Sequence, residues 1–166
     1  MSCAALISIH PEHARSIISG EKVFEYRKVL PKRDISFLVL YCTAPVKKIT
    51  AVVEVKGRLV DCLAGIWNKT SRGSGISHSS YLDYYSGKQN ASVFELGEVY
   101  QMENPMDLSD LPGRKTSPQS FYYLDDEDME IISKRKRIRP TVASFMDSVG
   151  GIHSVEKSAS SDHVNH

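Results

Sequence analysis

Residues 20–27 of the chain have the sequence GEKVFEYR. Successive side chains of a β-strand point to opposite faces, so this pattern predicts a strand over residues 23–29. Glu25 and Arg27 lie two positions apart, and both are expected to leave the sheet on the same side. Lys22 stands at the entrance of the predicted strand, close to both of them.

Lys22, Glu25 and Arg27 together offer hydrogen-bond donors and acceptors for a polar ligand. An arginine can donate two parallel hydrogen bonds to a phosphate or to a base edge. A glutamate can accept a hydrogen bond from the exocyclic amine of a base. The three residues therefore predict a nucleic-acid site. The spacing leaves one alternative open, which is an exposed ion pair between Glu25 and Arg27 that contributes little stability.

The sequence on either side of this stretch predicts further strands with helices between them. Pro11 is suited to the first turn of a helix, and Gly20 is suited to end it. A second helix carries Trp67, and Ser77 is suited to cap a third. Apolar residues that alternate, or that run continuously over a few positions, indicate the strands. The predicted strands cover residues 6–9, 23–29, 35–42, 49–55, 91–100 and 121–124, and the fourth could continue to Val60.

About five or six strands with inserted helices predict a fold of the α+β class. We expect a partly closed mixed β-barrel with helices on its periphery, because the alternation of strands and helices is too irregular for a doubly wound sheet. The chain contains no G-x-G-x-x-G, P-loop, H-E-x-x-H or G-x-S-x-G motif. No cofactor is therefore expected.

The composition is that of a folded, water-soluble domain, with 41% hydrophobic and 25% charged residues among 166. No apolar run approaches the ~20 residues of a membrane helix, and the first residues lack the basic segment of a signal peptide. The three cysteines are widely spaced and form no C-x-x-C pair, which argues against a disulfide framework or a zinc site. A reducing, cytoplasmic location without a membrane partner is expected.

The charge is distributed unevenly along the chain. The formal net charge is +1, but residues 15–58 contain ten Lys or Arg and four Asp or Glu, which gives +6. A basic segment of this kind favours an anionic partner. Solvated turn residues would give the same count, so charge alone does not decide between the two interpretations.

The character of the sequence changes after residue 124. An acidic run, DDED at residues 125–128, and a basic run, KRKR at residues 134–137, precede a polar segment rich in Ser and His. We expect a domain over residues 1–124 and a charged, flexible tail over residues 125–166 that carries at most one short helix.

Taken in order, several segments resemble the ASCH domain of the PUA-like superfamily. They are the first strand, the His-Pro-led helix, the G-x-K-x-x-E-x-R motif of residues 20–27 and the turn YCTAPVKKI of residues 41–49. The segments IWNKT (66–70), YYSG (84–87) and SPQSF (117–121) are also similar, in particular to a subgroup described as transcriptional regulators. The resemblance covers residues 4–124.

The resemblance implies a β-barrel with a cleft beside the G-x-K-x-x-E-x-R strand, in which RNA or a nucleotide binds. It also implies two activities found among relatives, namely hydrolysis of acylated cytidine nucleosides and RNA cleavage. The hydrolase type uses a lysine, a threonine three residues later and a distal glutamate. Lys22 matches the lysine, but Glu25 stands where that pattern has threonine, so the hydroxyl nucleophile is missing.

Further candidate ligand-binding residues lie outside this motif. Tyr41 and Thr43 end a predicted strand, and Lys47 and Lys48 follow in the turn. An aromatic ring beside basic residues suits stacking of an unpaired base with a phosphate contact. The commoner case for such a tyrosine is a half-buried core residue with a solvated hydroxyl.

Three more candidates remain. Trp67 is suited either to the cleft or, more commonly at helical spacing, to the core. Gln119 and Ser120 lie in the SPQSF loop, where Gln119 could read a base edge. The alternative is a loop that is simply anchored in the core by Phe121.

Two functions remain open on the sequence. The first is a module that binds RNA, or a modified base in nucleic acid, without breaking a bond, and the resemblance implies that such a module can act as a regulator. The second is a small hydrolase that uses Lys22 and Glu25 on acylated nucleosides or on RNA. The absence of an evident set of nucleophile, base and orienting residue favours binding.

Overall fold

The computed structural model describes residues 3–113 and 116–137. These residues form a mixed sheet of six strands, together with four α-helices and the loops between them. In chain order the elements are β1 (Ala4–Ile9), α1 (Pro11–Ser19), β2 (Phe24–Arg27), β3 (Phe37–Cys42), β4 (Lys48–Cys62), α2 (Leu63–Thr70), α3 (His78–Tyr84), β5 (Asn90–Met106), β6 (Phe121–Leu124) and α4 (Asp126–Ser133). Two single 3₁₀ turns lie at Ser71–Gly73 and Leu108–Asp110.

The strands are arranged in the order β2-β5-β4-β3-β1-β6. β1 and β3 pair in parallel, and the other neighbours pair antiparallel. Within the described residues the sheet is not closed, and β2 and β6 form its two edges. The predicted α+β class, the mixed sheet of about six strands and the peripheral helices are confirmed.

The two central strands, β4 and β5, are longer than the sequence pattern predicts. They span 15 and 17 residues, and their pairing shifts register at several points between Ile49 and Gly57. Such bulges bend a strand and increase its twist, which curls the sheet. The outer half of β4 alternates between half-buried and exposed side chains, so its hydrophobic signal is weak. The strand predicted over residues 23–29 is shorter, because pairing with β5 stops at Arg27.

Three apolar clusters hold the helices to the sheet. Helix α1 covers the first cluster with Ala14 and Ile17, which pack against one face of β1, β3, β4 and β5. The second cluster lies on the opposite face of β1 and β3 and includes residues of α4. The third joins α2 and α3 to Tyr26 of β2 and to the start of β5. α1 and α3 therefore lie on opposite sides of β2.

The predicted ends of two helices agree with the structure. Pro11 occupies the first position of α1, and Gly20 ends it in the left-handed conformation with φ 85°. Ser77 caps α3 by accepting a hydrogen bond from the backbone N–H of Ser80. Both are standard solutions to the unpaired backbone groups of a helix end.

The described part of the expected tail, residues 125–137, packs against the domain. α4 begins with a capping box formed by Asp125 and Asp128. Its Ile132 is fully buried in the second cluster, and Arg137 forms a bridge with Met102 of β5. The boundary at residue 124 stays a prediction, and the rest of the expected tail lies outside the described residues.

Replacement of Ile132 by Ala is expected to lower the free energy of unfolding by about 2–4 kcal/mol, because it opens a cavity under α4. Ile131 is only partly buried on the same helix and serves as the matched control, with a smaller loss after the same substitution. Urea unfolding of both variants measures the difference. Equal small losses would show that α4 contributes little to the core and would favour a dispensable segment after residue 124.

Candidate functional site

Lys22 is a buried lysine, and only 3% of it is exposed. Its backbone N–H donates to the carbonyl oxygen of Ser16, at 2.9 Å, directly after the Gly20 cap. Its Nζ donates to the carbonyl oxygen of Ser74, at 2.7 Å, and lies 4.9 Å from the ring centroid of Tyr26. The end of α1 and the loop after α2 thus fix both ends of this side chain.

The environment of Lys22 disfavours its charged form. Burial lowers its pKa, the carboxylate of Glu25 opposes that effect, and the guanidinium of Arg27 lowers the pKa further. A lysine that has lost most of its solvation can more readily give up a proton and binds an anion more strongly than an exposed one.

Glu25 and Arg27 form a buried ion pair on the face of β2 that meets α1. Arg27 Nε lies 3.3 Å from Glu25 Oε1, and the two side chains are 13% and 9% exposed. The pair is therefore not the exposed ion pair that the sequence left open. Nε is buried and makes no hydrogen bond within the described residues. Lys22, Glu25 and Arg27 are called the Lys22 cluster below.

Ser8 of β1 connects Arg27 to the loop before β6. A terminal nitrogen of Arg27 donates to the Ser8 carbonyl oxygen, at 2.9 Å. The Ser8 hydroxyl donates to the carbonyl oxygen of Pro118, at 2.7 Å, and its backbone N–H points to that of Ser120, at 3.4 Å. The predicted residues Gln119 and Ser120 therefore lie in a loop fastened beside Arg27, and both are exposed.

His13 is a residue of this site that the sequence analysis did not single out. It lies one turn before Ser16 on α1, and its side chain is 31% exposed. Burial and the positive charge of Lys22 lower its pKa, whereas Glu25 raises it. The sequence signal that could have identified it is its spacing of three from Ser16, which places both residues on one face of the helix.

The loop of residues 71–76 covers Lys22 at close range. Gly75 has φ +66°, and a Cβ added there would lie 2.8 Å from the Lys22 Cβ. Ser74 is 2% exposed, and its hydroxyl lies within hydrogen-bond distance of the carbonyl oxygens of Ser71 and Ile76, at 2.9 Å and 3.0 Å. The loop holds its own shape and needs a glycine where it passes the lysine.

Gly75→Ala is expected to destabilise the protein more than Gly87→Ala. Both glycines have positive φ, which costs an alanine about 1–2 kcal/mol, but Gly87 has no atom within 4 Å of an added Cβ. Contact with Lys22 should add about 1–3 kcal/mol at Gly75. Chemical unfolding of the two variants measures the difference, and equal losses would mean that the Lys22 stem moves aside freely.

The predicted residues of the 41–49 turn are not joined to the Lys22 cluster. Tyr41 is 7% exposed, packs in the second apolar cluster and pairs in register with Ser8 of β1, so its role in ligand binding stays a prediction. Thr43 donates its backbone N–H to Ile9 at the end of β1. Lys47 is exposed, and Lys48 pairs with Asp107. Within the described residues no hydrogen bond or ion pair connects this turn to Lys22, Glu25 or Arg27.

Trp67 lies in the third apolar cluster rather than on the wall of the Lys22 cluster. Its ring stacks on that of His78, with centroids 4.8 Å apart and 18° between planes, and lies 4.9 Å from Tyr81. Tyr81 in turn contacts Tyr26 edge to face. Trp67 is thus connected to the residue beneath Lys22 through one intervening ring.

The described residues contain no group of three or more His, Cys, Asp or Glu side chains that could hold a metal ion. The cysteines Cys3, Cys42 and Cys62 are free thiols. No helix in residues 3–113 and 116–137 has the length and apolar character to cross a membrane.

Comparisons with known proteins give a consistent result. The ASCH domain family model matches residues 7–105. An ASCH domain-containing ribonuclease from Zymomonas mobilis is 29% identical over 130 residues, which are 76% of this chain and 87% of that protein. The crystal structure of ASCH from Zymomonas mobilis superposes with a TM-score of 0.76 at 26% identity, covering 82% of this chain and 98% of that one. Large ribosomal subunit protein uL22 from Ureaplasma parvum is 31% identical over 120 residues, but this chain spans only 38% of it.

Proposed function

Because the chain belongs to the ASCH domain family of the PUA-like superfamily, we propose that it binds RNA at the Lys22 cluster. The observation that carries the proposal is the charge of the cluster. Lys22 and Arg27 contribute two cations, and within the described residues only Glu25 pairs with either of them as an acid. A positive charge in a poorly solvated place is unfavourable unless an anion offsets it, and a phosphate group would do so.

The surroundings of the cluster also suit an RNA strand. Gln119 and Ser120 present exposed polar groups beside Arg27, and His13 stands half-buried on the α1 side. Amide and hydroxyl side chains can hydrogen-bond to unpaired bases or to the 2′-hydroxyl. Residues 15–58 contain ten basic and four acidic residues, and their net positive charge attracts the phosphate backbone of RNA over a long range.

Fluorescence anisotropy with a labelled single-stranded RNA of about 12 nucleotides tests the proposal, since single-strand sites span about 4–16 nucleotides. Duplex RNA and single-stranded DNA of the same sequence serve as competitors. We expect salt-dependent binding of the RNA strand and weaker competition by the DNA. No binding at low salt would contradict the proposal.

The turn that carries Lys47 and Lys48 gives a further prediction. Each lysine that contacts a phosphate contributes about 0.7 to the log–log salt slope of single-strand binding. Lys48 already pairs with Asp107, so the double change Lys47→Ala and Lys48→Ala is expected to reduce the slope by about 0.7, corresponding to Lys47 alone. An unchanged slope and affinity would place the turn outside the RNA footprint.

RNA cleavage at the same cluster is a second candidate function. It is favoured by the lowered pKa of Lys22 and by the relative that is named a ribonuclease. In such a reaction neutral Lys22 would take the proton of the 2′-hydroxyl, which attacks the neighbouring phosphorus to form a 2′,3′-cyclic phosphate. The bond from phosphorus to the 5′-oxygen breaks, and that oxygen takes up a proton from water. Gel analysis of RNA incubated with the chain in EDTA tests it, and Lys22→Met should abolish any cleavage.

The other functions implied by the resemblance receive less support. Glu25 stands three residues after Lys22 and supplies no hydroxyl, so hydrolysis of acylated nucleosides lacks its nucleophile. A regulatory role would act through RNA binding itself and would be tested by sequencing the RNA that copurifies with the chain.

A further inference from the structure

Tyr84 is a large aromatic residue left 37% exposed at the end of α3. Its ring packs edge to face against the ring of Tyr85, with centroids 4.8 Å apart and 77° between planes. Tyr85 is fully buried, and its hydroxyl lies 3.0 Å from the Arg27 carbonyl oxygen and 2.8 Å from that of Ser92. The exposed ring is therefore supported by a neighbour that is fastened to the end of β2.

Lys28 provides a cation at the same place. It directly follows Arg27, is exposed, and places its Nζ 5.0 Å from the ring centroid of Tyr84. Burial raises the pKa of Tyr84, and smaller effects come from Arg27, Glu25 and the backbone of Lys28. The phenol thus lies within electrostatic reach of the Lys22 cluster, although α3 packs on the other side of β2.

We propose that Tyr84 and Lys28 form a stacking subsite for one unpaired base of an RNA strand bound at the Lys22 cluster. The inference rests on the proposed function and specifies the form of the ligand, which is single-stranded around β2. An aromatic ring beside a lysine suits this ligand because the base stacks on the ring while the lysine meets the adjacent phosphate. In the structure, the Lys28 ammonium lies over the Tyr84 ring. When RNA binds, Lys28 would leave the ring and contact the phosphate, and the base would take its place on the ring.

The support from Tyr85 makes the subsite effective. A side chain that is already held in place loses little conformational entropy when a ligand orders it. A base in duplex RNA is paired and stacked on its neighbours, so its face is not available to Tyr84. The subsite therefore discriminates between unpaired and paired RNA.

The experiment compares Tyr84→Phe, Tyr84→Leu and Tyr84→Ala with the native chain, using the labelled single-stranded RNA of about 12 nucleotides and a duplex of the same sequence. Phe keeps the ring and should bind within about twofold of native, whereas Leu and Ala should bind about 5- to 100-fold more weakly. Leu keeps apolar contact with Tyr85, so it separates stacking from folding. Leu82→Ala, an exposed change on the same helix, is the control and should bind as native.

Salt titrations distinguish the two partners of the subsite. Lys28→Ala should reduce the salt slope by about 0.7, because one phosphate contact is lost, and Tyr84→Leu should leave the slope unchanged. An RNA carrying 2-aminopurine should show fluorescence quenching with native chain and with Tyr84→Phe but not with Tyr84→Leu.

Failure of the subsite and failure of the proposed function give different results. If the native chain binds the RNA strand and Lys22→Met weakens it, but Tyr84→Leu and Tyr84→Ala bind as native, the stacking subsite is wrong and the Lys22 cluster stands. Preference of the native chain for duplex RNA would also overturn the subsite. If the native chain binds no RNA, the proposed function and the subsite both fail.

Discussion

Arg27→Ala is expected to lower the free energy of unfolding by about 3–5 kcal/mol. The substitution leaves the Glu25 carboxylate buried without its ion pair, and breaking a buried pair at one end costs about that much. It also removes the hydrogen bond to the Ser8 carbonyl oxygen, which connects β2 with β1. Thermal and chemical unfolding measure the loss, and RNA anisotropy measures the accompanying loss of affinity.

A matched surface pair provides the control for this prediction. Lys69 and Asp61 also form an ion pair, but their side chains are 58% and 43% exposed, and exposed pairs contribute less than about 1 kcal/mol. Lys69→Ala should therefore change stability little. The double variant Arg27→Met with Glu25→Met should recover much of the loss, because no unpaired charge remains. A loss below 1 kcal/mol for Arg27→Ala would show that solvent reaches the pair.

Lys22→Met is expected to weaken RNA binding by about 10- to 100-fold, which corresponds to the 1.5–3 kcal/mol of a charge-assisted contact. Met retains most of the apolar stem, so the packing against Tyr26 is largely kept. Removal of a poorly solvated cation offsets loss of the hydrogen bond to Ser74, and we expect stability to change far less than after Arg27→Ala. Lys88→Met, at an exposed lysine, should leave both properties unchanged.

The pH dependence of stability provides a second measurement on Lys22. Burial lowers its pKa in the folded state, so the unfolded chain binds more protons between that lowered pKa and the ordinary pKa of lysine. The contribution of Lys22 to the free energy of unfolding therefore rises as the pH increases from the lowered pKa to the ordinary one. The rise should disappear in Lys22→Met and persist in Lys88→Met. Identical pH profiles for the native and Lys22→Met chains would contradict a desolvated lysine.

Those parts of the fold that depend on local chemistry could be predicted from the sequence. Pro11, Gly20 and Ser77 define helix ends through backbone geometry and capping, which act within a few residues. The full length of β4 and β5 could not be predicted in this way. Residues 57–62 of β4 pair with residues 90–95 of β5, and residues 101–106 of β5 pair with residues 49–51 of β4. Half-exposed strand segments of this kind carry little hydrophobic periodicity.

The candidate site was predictable only where its residues are close in sequence. Glu25 and Arg27 come together through the spacing of β2, and Lys22 lies two residues before that strand. His13, Ser8 and Tyr84 reach the same region from α1, β1 and α3, and their positions depend on packing between distant segments. Tyr41 pairs in register with Ser8 of β1, and its role at the site stays a prediction.

The bond between the Ser8 hydroxyl and the Pro118 carbonyl oxygen joins residues 110 positions apart. During synthesis β1 leaves the ribosome first, yet its partner β6 and the loop that fastens Arg27 follow only after every other strand of the sheet. The proposed site is therefore complete only after residue 120 has emerged, and contacts so distant in sequence form slowly.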